Sequence, residues 1–185
     1  MNVYQLRIQL DKIEPIIWRR ILTTSNVRLD DFHRILQTVM GWTNSHLHLF
    51  ESDSATYAPL EFEIDALDSR KIKLEDILSK VGSAVRYEYD FGDGWVHTLT
   101  LEKTVQFDGE VFVAQCIGGE RSCPPEDCGG IFEFQRMLEI LMNPEHEEYL
   151  GFKEWLGRNY HPEKFDLKKV NKQLQKKDYG CEWIM

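Results

Sequence analysis

The residues of this chain best suited to do chemistry fall in three short stretches. His46 and His48 stand two apart in the alternating run His46-Leu47-His48-Leu49-Phe50. Strand residues two apart share a face, about 6.5–7 Å from one another along the chain. At that spacing two imidazoles can serve one metal if a third ligand arrives from elsewhere. An exposed strand with alternating polar residues looks the same, and Phe50 on that face tilts the reading toward burial. The second stretch holds Asp90, Asp93 and His97 around Gly92-Asp93-Gly94. The third is Pro124-Pro125-Glu126-Asp127, where two prolines stiffen a loop that presents adjacent carboxylates ahead of a helix. Such acids either cap the helix through its dipole, or ligate a cation, or act as general acid and base. The candidate catalytic residues are therefore Asp90, Asp93, His97, Glu126 and Asp127. The candidate metal ligands are His46, His48, Glu126 and Asp127, with a divalent metal as the cofactor they would take.

Other constellations are weaker. Cys116, Cys123 and Cys128 lack the closely spaced pairs of a structural zinc site. Cys128 stands just before a helix start, a position that could depress a thiol pKa, but no partner base is evident and a small buried residue is the favoured reading. Asp90-Phe91-Gly92 mimics a kinase metal-binding triplet with none of the companion motifs. No phosphate-binding loop, dinucleotide fingerprint, nucleophile elbow or zinc-protease helix occurs.

The elements that must position these residues can be read from periodicity. Tyr4, Leu6, Ile8 and Leu10 alternate as a half-buried strand, and Ile16 to Leu22 reads as a second, begun at Pro15. Leu29, Phe32, Leu36 and Val39 recur at helical spacing, with Asp30 and Asp31 in the first turn and Gly41 as a stop. Further strands are expected at 46–50, 60–64 and 111–116, and a short helix at 74–81. A β-hairpin is expected at 84–102. A two-residue turn would set Asp90 opposite His97; a three-residue turn sets Tyr89 opposite His97 and Phe91 opposite Trp95. The second register keeps the apolar residues on one face and is preferred, which turns His97 inward as a core histidine. From Ile131 the period becomes helical, with helices ending near Asn143, spanning 145–157, and starting at Asp166. The expected fold is one α+β domain over 1–185: a mixed, mainly antiparallel sheet in a sheet-rich part about 1–130, backed by helices, and C-terminal helices within 131–178.

Composition bounds the function classes. The 185 residues are 42% apolar and 12% aromatic, which suits a folded domain and not a disordered chain. No apolar run is long enough to span a bilayer, no charged-then-apolar leader opens the chain, and four cysteines make no disulfide framework, so a cytoplasmic location is expected. The formal charge is −9, and residues 88–133 alone contribute −8. Residues 164–177 contribute +5 through Lys164, Lys168, Lys169, Lys172, Lys176 and Lys177. General binding to phosphate backbones needs clustered cations, so nucleic acid is not expected as a partner except through those lysines.

Taken together, the segments resemble the plasmid pRiA ORF-three-like family. The matching pieces are Tyr4-Gln5-Leu6-Arg7-Ile8, Pro15-Ile16-Ile17-Trp18-Arg19-Arg20, Gly41-Trp42 leading into His46–Phe50, Tyr87–His97, and Gly119–Gly130. The resemblance implies an α+β domain and an association with mobile elements, and it brings no established activity. Some members bear the label of a resolvase-like passenger of an insertion element. That label fits poorly, since a serine resolvase needs a Ser amid arginines and a basic arm, and the motif-rich region here is acidic. Two classes of function stand. One is a non-enzymatic accessory module binding an unidentified small-molecule or protein partner through aromatic residues such as Trp18, Tyr87, Tyr89 and Trp95. The other is a metal-dependent enzyme, with hydrolysis as its reaction class, using His46, His48, Asp90, Asp93, His97, Glu126 and Asp127. A DNA-recombination accessory role ranks below both.

Overall fold

The computed structural model describes residues 1–109, 112 and 114–181. Its frame is one eight-stranded sheet: β1 (Asn2–Leu10), β2 (Trp18–Thr24), β3 (His48–Glu51), β4 (Thr56–Ala58), β5 (Leu67–Asp68), β6 (Ala84–Tyr89), β7 (Trp95–Gln106) and β8 (Gln115–Glu120). The spatial order is β5-β4-β3-β6-β7-β1-β2-β8, antiparallel throughout except for the β4–β5 pair. Five helices join it: α1 (Leu29–Met40), α2 (Leu74–Ile77), α3 (Gly130–Leu141), α4 (Tyr149–Leu156) and α5 (Leu167–Leu174). This is the mixed, mainly antiparallel α+β architecture expected, and among the described residues no helix is long and apolar enough to cross a membrane.

Alternation does the positioning. In β1 the residues Tyr4, Leu6, Ile8 and Leu10 are buried, Gln5, Arg7 and Gln9 between them are only half-buried, and Val3 is buried as well. α1 lays Leu29, Phe32, Leu36 and Val39, all fully buried, into the same core. It stops at Gly41, whose φ of 102° continues no helix and whose N–H closes on the Gln37 carbonyl. β2 begins two residues later than expected, and its inward row is Arg19, Ile21 and Thr23. The edge strand β8 is covered by α5, whose Asn171 amide bonds both the N–H and the carbonyl of Cys116, as a neighbouring strand would.

Three expectations are corrected. Residues 60–62 form a 3-10 turn, not a strand, and the edge strands lie on either side of it. Of the strand expected at 111–116, residues 111 and 113 lie outside the described residues, and β8 starts at Gln115. The hairpin pairs Tyr89 with Trp95 and Tyr87 with His97, two residues away from the preferred register. An even slip leaves every side chain on its face, so Tyr87, Tyr89, Trp95 and His97 are all buried. The cause is Asp90, which takes a left-handed φ of 56°. Its Oδ1 accepts from the N–H groups of Gly92 and Asp93, and its carbonyl accepts from Gly94. The turn therefore begins inside the alternating run, and Phe91 is turned outward.

The same burial removes the aromatic surface expected of Trp18, Tyr87, Tyr89 and Trp95. Only Trp18 stands on the outer face, flanked by the guanidinium groups of Arg7 and Arg20.

Candidate metal centre

Three loops far apart in sequence meet at one end of the sheet. The segment after α1 is tied to the Pro124–Asp127 loop by Trp42, whose indole N–H donates to the Pro124 carbonyl. It is tied again by Thr43, whose backbone N–H and hydroxyl both donate to Glu126 Oε1, at 2.7 and 3.0 Å. Tyr89, at the end of β6, donates its phenol to the same carboxylate and accepts from the Ser45 N–H. The hairpin loop joins through Asp93, whose Oδ2 accepts from the Gly129 N–H at 3.1 Å. Glu126 and Asp127 therefore do not cap α3; their carboxylates reach across to the neighbouring loops.

His46 stands where these loops converge. Its Nε2 lies 3.0 Å from Asp127 Oδ1, 3.7 Å from Asp90 Oδ2 and 3.9 Å from Glu126 Oε2. One ligand atom each from His46, Asp90 and Asp127 falls within 4.8 Å of both others. Atoms sharing an ion at about 2.1 Å lie roughly 3–4 Å apart, so a small contraction would close the set. The buried Nε2 makes no hydrogen bond of acceptable geometry among the described residues. Asp90 and Asp127 both hold positive φ of 56°, a strained setting that Asp tolerates better than most residues. The Asp90 side chain is 9% exposed and that of Asp127 is 74% exposed, so the cluster has an inner wall and an open rim.

The remaining candidates go elsewhere. His48 does not share a face with His46, because β3 begins only at His48 and the preceding segment turns away. The His48 ring is buried, stacked on His33 with centroids 3.4 Å apart and planes 6° from parallel. His97 faces inward as expected, its Nδ1 3.3 Å from the Tyr87 carbonyl and its ring edge-on to Trp42. Asp93 serves the Gly129 N–H and is outside the ion-sized set. The position of Cys128 beside a helix start does not make its thiol acidic. Burial, with the Asp93 charge beside it, pushes that thiol up to about 12. All four cysteines are free. The six lysines of 164–177 form no ion pairs with the acidic middle of the chain among the described residues.

Two residues essential to this arrangement went unread in the sequence. Arg19 is fully buried on β2 and ties the end of α1 to the end of β8, from which the chain runs into the Pro124–Asp127 loop. Its Nε donates to the Val39 carbonyl at the end of α1, and its terminal nitrogens donate to the carbonyls of Trp18, Glu120 and Arg121. The inward parity of Ile17, Arg19 and Ile21 was the signal that could have found it. His33 shares the helical stripe of Leu29 and Leu36. Its Nε2–H donates to Asn44 Oδ1, and its Nδ1 accepts from the Tyr87 hydroxyl, the tautomer that satisfies both partners. Gln37 completes the set by donating to the Tyr87 oxygen and accepting from the Asn44 N–H.

The close approach of the hairpin loop depends on Gly130. Its φ is 79°, and a Cβ there would stand 2.8 Å from the Asp93 carbonyl oxygen. Gly130→Ala is expected to cost about 2 kcal/mol through strain and displacement of the Asp93 loop, read as a lowered urea midpoint. A midpoint equal to that of the parent chain would refute the close-packing argument.

Comparison with known proteins places the geometry in context. The pattern of the family described as "Plasmid pRiA4b ORF-3-like protein" matches residues 2–169. The uncharacterized protein y4hQ of Sinorhizobium fredii (strain NBRC 101917 / NGR234) is 33% identical over 189 residues, covering 98% of this chain and 94% of its own. A crystal structure of MM3350, a protein of unknown function from Methanosarcina mazei Go1, superposes with a TM-score of 0.83 at 36% identity, over 91% of this chain and 96% of that one.

Proposed function

This chain belongs to the plasmid pRiA4b ORF-3-like family, and we propose that it works as a divalent-cation-binding module whose ion is held by His46, Asp90 and Asp127, with the Glu126 carboxylate adding negative charge beside them. The observation that carries this reading is the single imidazole Nε2 with three carboxylates within 3.9 Å and no hydrogen bond to any of them. A buried polar atom without a partner costs free energy that an ion would recover. One nitrogen and several hard oxygens form a donor set suited to Mn²⁺, Fe²⁺ or Zn²⁺. Three carboxylates repel one another in the absence of a cation, and a doubly charged ion relieves that repulsion.

A metal-dependent hydrolase is the second reading. It is favoured by the exposed rim at Asp127, since an ion seated there keeps coordination positions open to water.

Calorimetric titration of metal-stripped protein with Mn²⁺ and Zn²⁺ tests the proposal. One ion per chain is expected, with affinity falling at least about tenfold in Asp90→Asn and in His46→Ala. Glu133→Gln, which removes an acid from the same acidic segment on α3, is expected to leave binding unchanged. Absence of binding, or binding indifferent to the first two substitutions, would overturn it.

A further inference from the structure

We propose that a second site, a cavity of about 580 Å³ between the end of α1, the Pro124–Pro125 loop and α5, takes a small organic anion with an aromatic body. The volume lies within the range of roughly 300–1,000 Å³ typical of small-molecule sites. Met40, Trp42, Tyr160 and Phe165 give it ring-lined and apolar walls. The charged residues that line it are three cations, Arg19, Lys164 and Lys169, against two carboxylates, Glu126 and Asp166. Glu126 is turned to Thr43 and Tyr89, and Asp166 to the Lys169 N–H at the start of α5. Lys164 and Lys169 stand at the exposed rim and form no ion pair among the described residues. Behind them the Arg19 guanidinium, 4.0 Å over the Phe165 ring, adds positive charge to the floor. In a chain of net charge −9 this is an apolar hollow with unpaired cations at its mouth, the combination that selects an anionic head on an apolar body. Glu126 stands in the wall shared with the His46 cluster, yet the cavity needs no bound metal and stands apart from the cation proposal.

The test is calorimetric titration with phenyl phosphate in the presence of a chelator, so that no divalent ion at His46 can contribute. Phenyl phosphate is expected to bind at least about tenfold more tightly than either inorganic phosphate or benzyl alcohol, which each carry half of its chemistry. Lys164→Glu combined with Lys169→Glu is expected to weaken it by about tenfold or more. Lys168→Glu combined with Lys172→Glu reverses the same amount of charge on α5 outside the cavity lining, and is expected to leave affinity unchanged. Absence of phenyl phosphate binding, equal losses in both double variants, or no loss in the first would each overturn the proposal.

Discussion

Lowering the pH from 7 to 5 is expected to remove about 5 kcal/mol of folding stability, through three buried imidazoles that must stay neutral. His33, His48 and His97 are fully buried or nearly so. Burial lowers His33 to about 4 and His97 to about 3, and it holds His48 well below the ordinary 6.5, with the neighbouring His33 adding to the effect. The unfolded chain takes up these protons below about 6.5, while the folded chain resists them until much lower pH. The unfolded state therefore binds more protons throughout that window. Stability is fully present above the unfolded pKa and is lost as the pH falls, over a range reaching down to about 4 for His33 and about 3 for His97. The stacked pair sharpens this, because a charge on either ring faces the other at 3.4 Å. Urea unfolding midpoints at pH 7, 6 and 5 measure the effect. His48→Leu is expected to flatten the slope by about one third, as one of three titrating groups is removed. Equal midpoints at pH 7 and 5 would show that these rings do not titrate as burial requires.

Arg19→Met is expected to cost roughly 3–5 kcal/mol, a large share of the 5–15 kcal/mol typical of a domain. The substitution keeps most of the apolar stem and removes every donor. The carbonyls of Val39, Glu120 and Arg121 then lose the guanidinium that serves them. Among the described residues no carboxylate pairs with its charge. The C-terminal end of α1, the backbone carbonyls and the Phe165 face supply the negative potential. Burial lowers the guanidinium to about 10, partly offset by the Cys123 and Cys116 thiols, so it remains charged at neutral pH. Its neighbour in β8 is fitted to it, since a Cβ at Gly119 would meet the Arg19 Cδ at 2.8 Å. Arg19→Lys keeps the charge but not the fork, and an intermediate loss is expected. If Arg19→Met does not fold, the Lys variant still reports the cost. A stability change within about 0.5 kcal/mol for the Met variant would show the knot to be dispensable.

Position and chemistry separate cleanly in this chain. The strand and helix periods of 4–10, 29–40 and 84–102 were legible because each buries one face, and burial writes a period of two or of 3.6 residues into the apolar positions. The acid-rich loops were also visible as a place where a cation could bind, since His46, Asp90, Glu126 and Asp127 are each distinctive by type. What no local pattern carries is which loops meet. His46 and His48 looked like a pair on one strand, and a boundary two residues later sends one ring into a stacked core and the other among three carboxylates. The hairpin turn was decided by an Asp90 side chain bonding its own loop, a choice worth little more than a hydrogen bond or two and so invisible to hydrophobic patterning. Arg19 could be placed on an inward row by parity alone, but the carbonyls it gathers come from residues 20 and about 100 positions away. The amino-acid sequence by itself determined the main strands and helices and the sign of the charge in each segment, while the short edge strands β4 and β5 and the hairpin register did not follow from it. Only the tertiary structure decided which carboxylates share an imidazole, because that depends on loop closure between segments whose separation the chain does not encode locally.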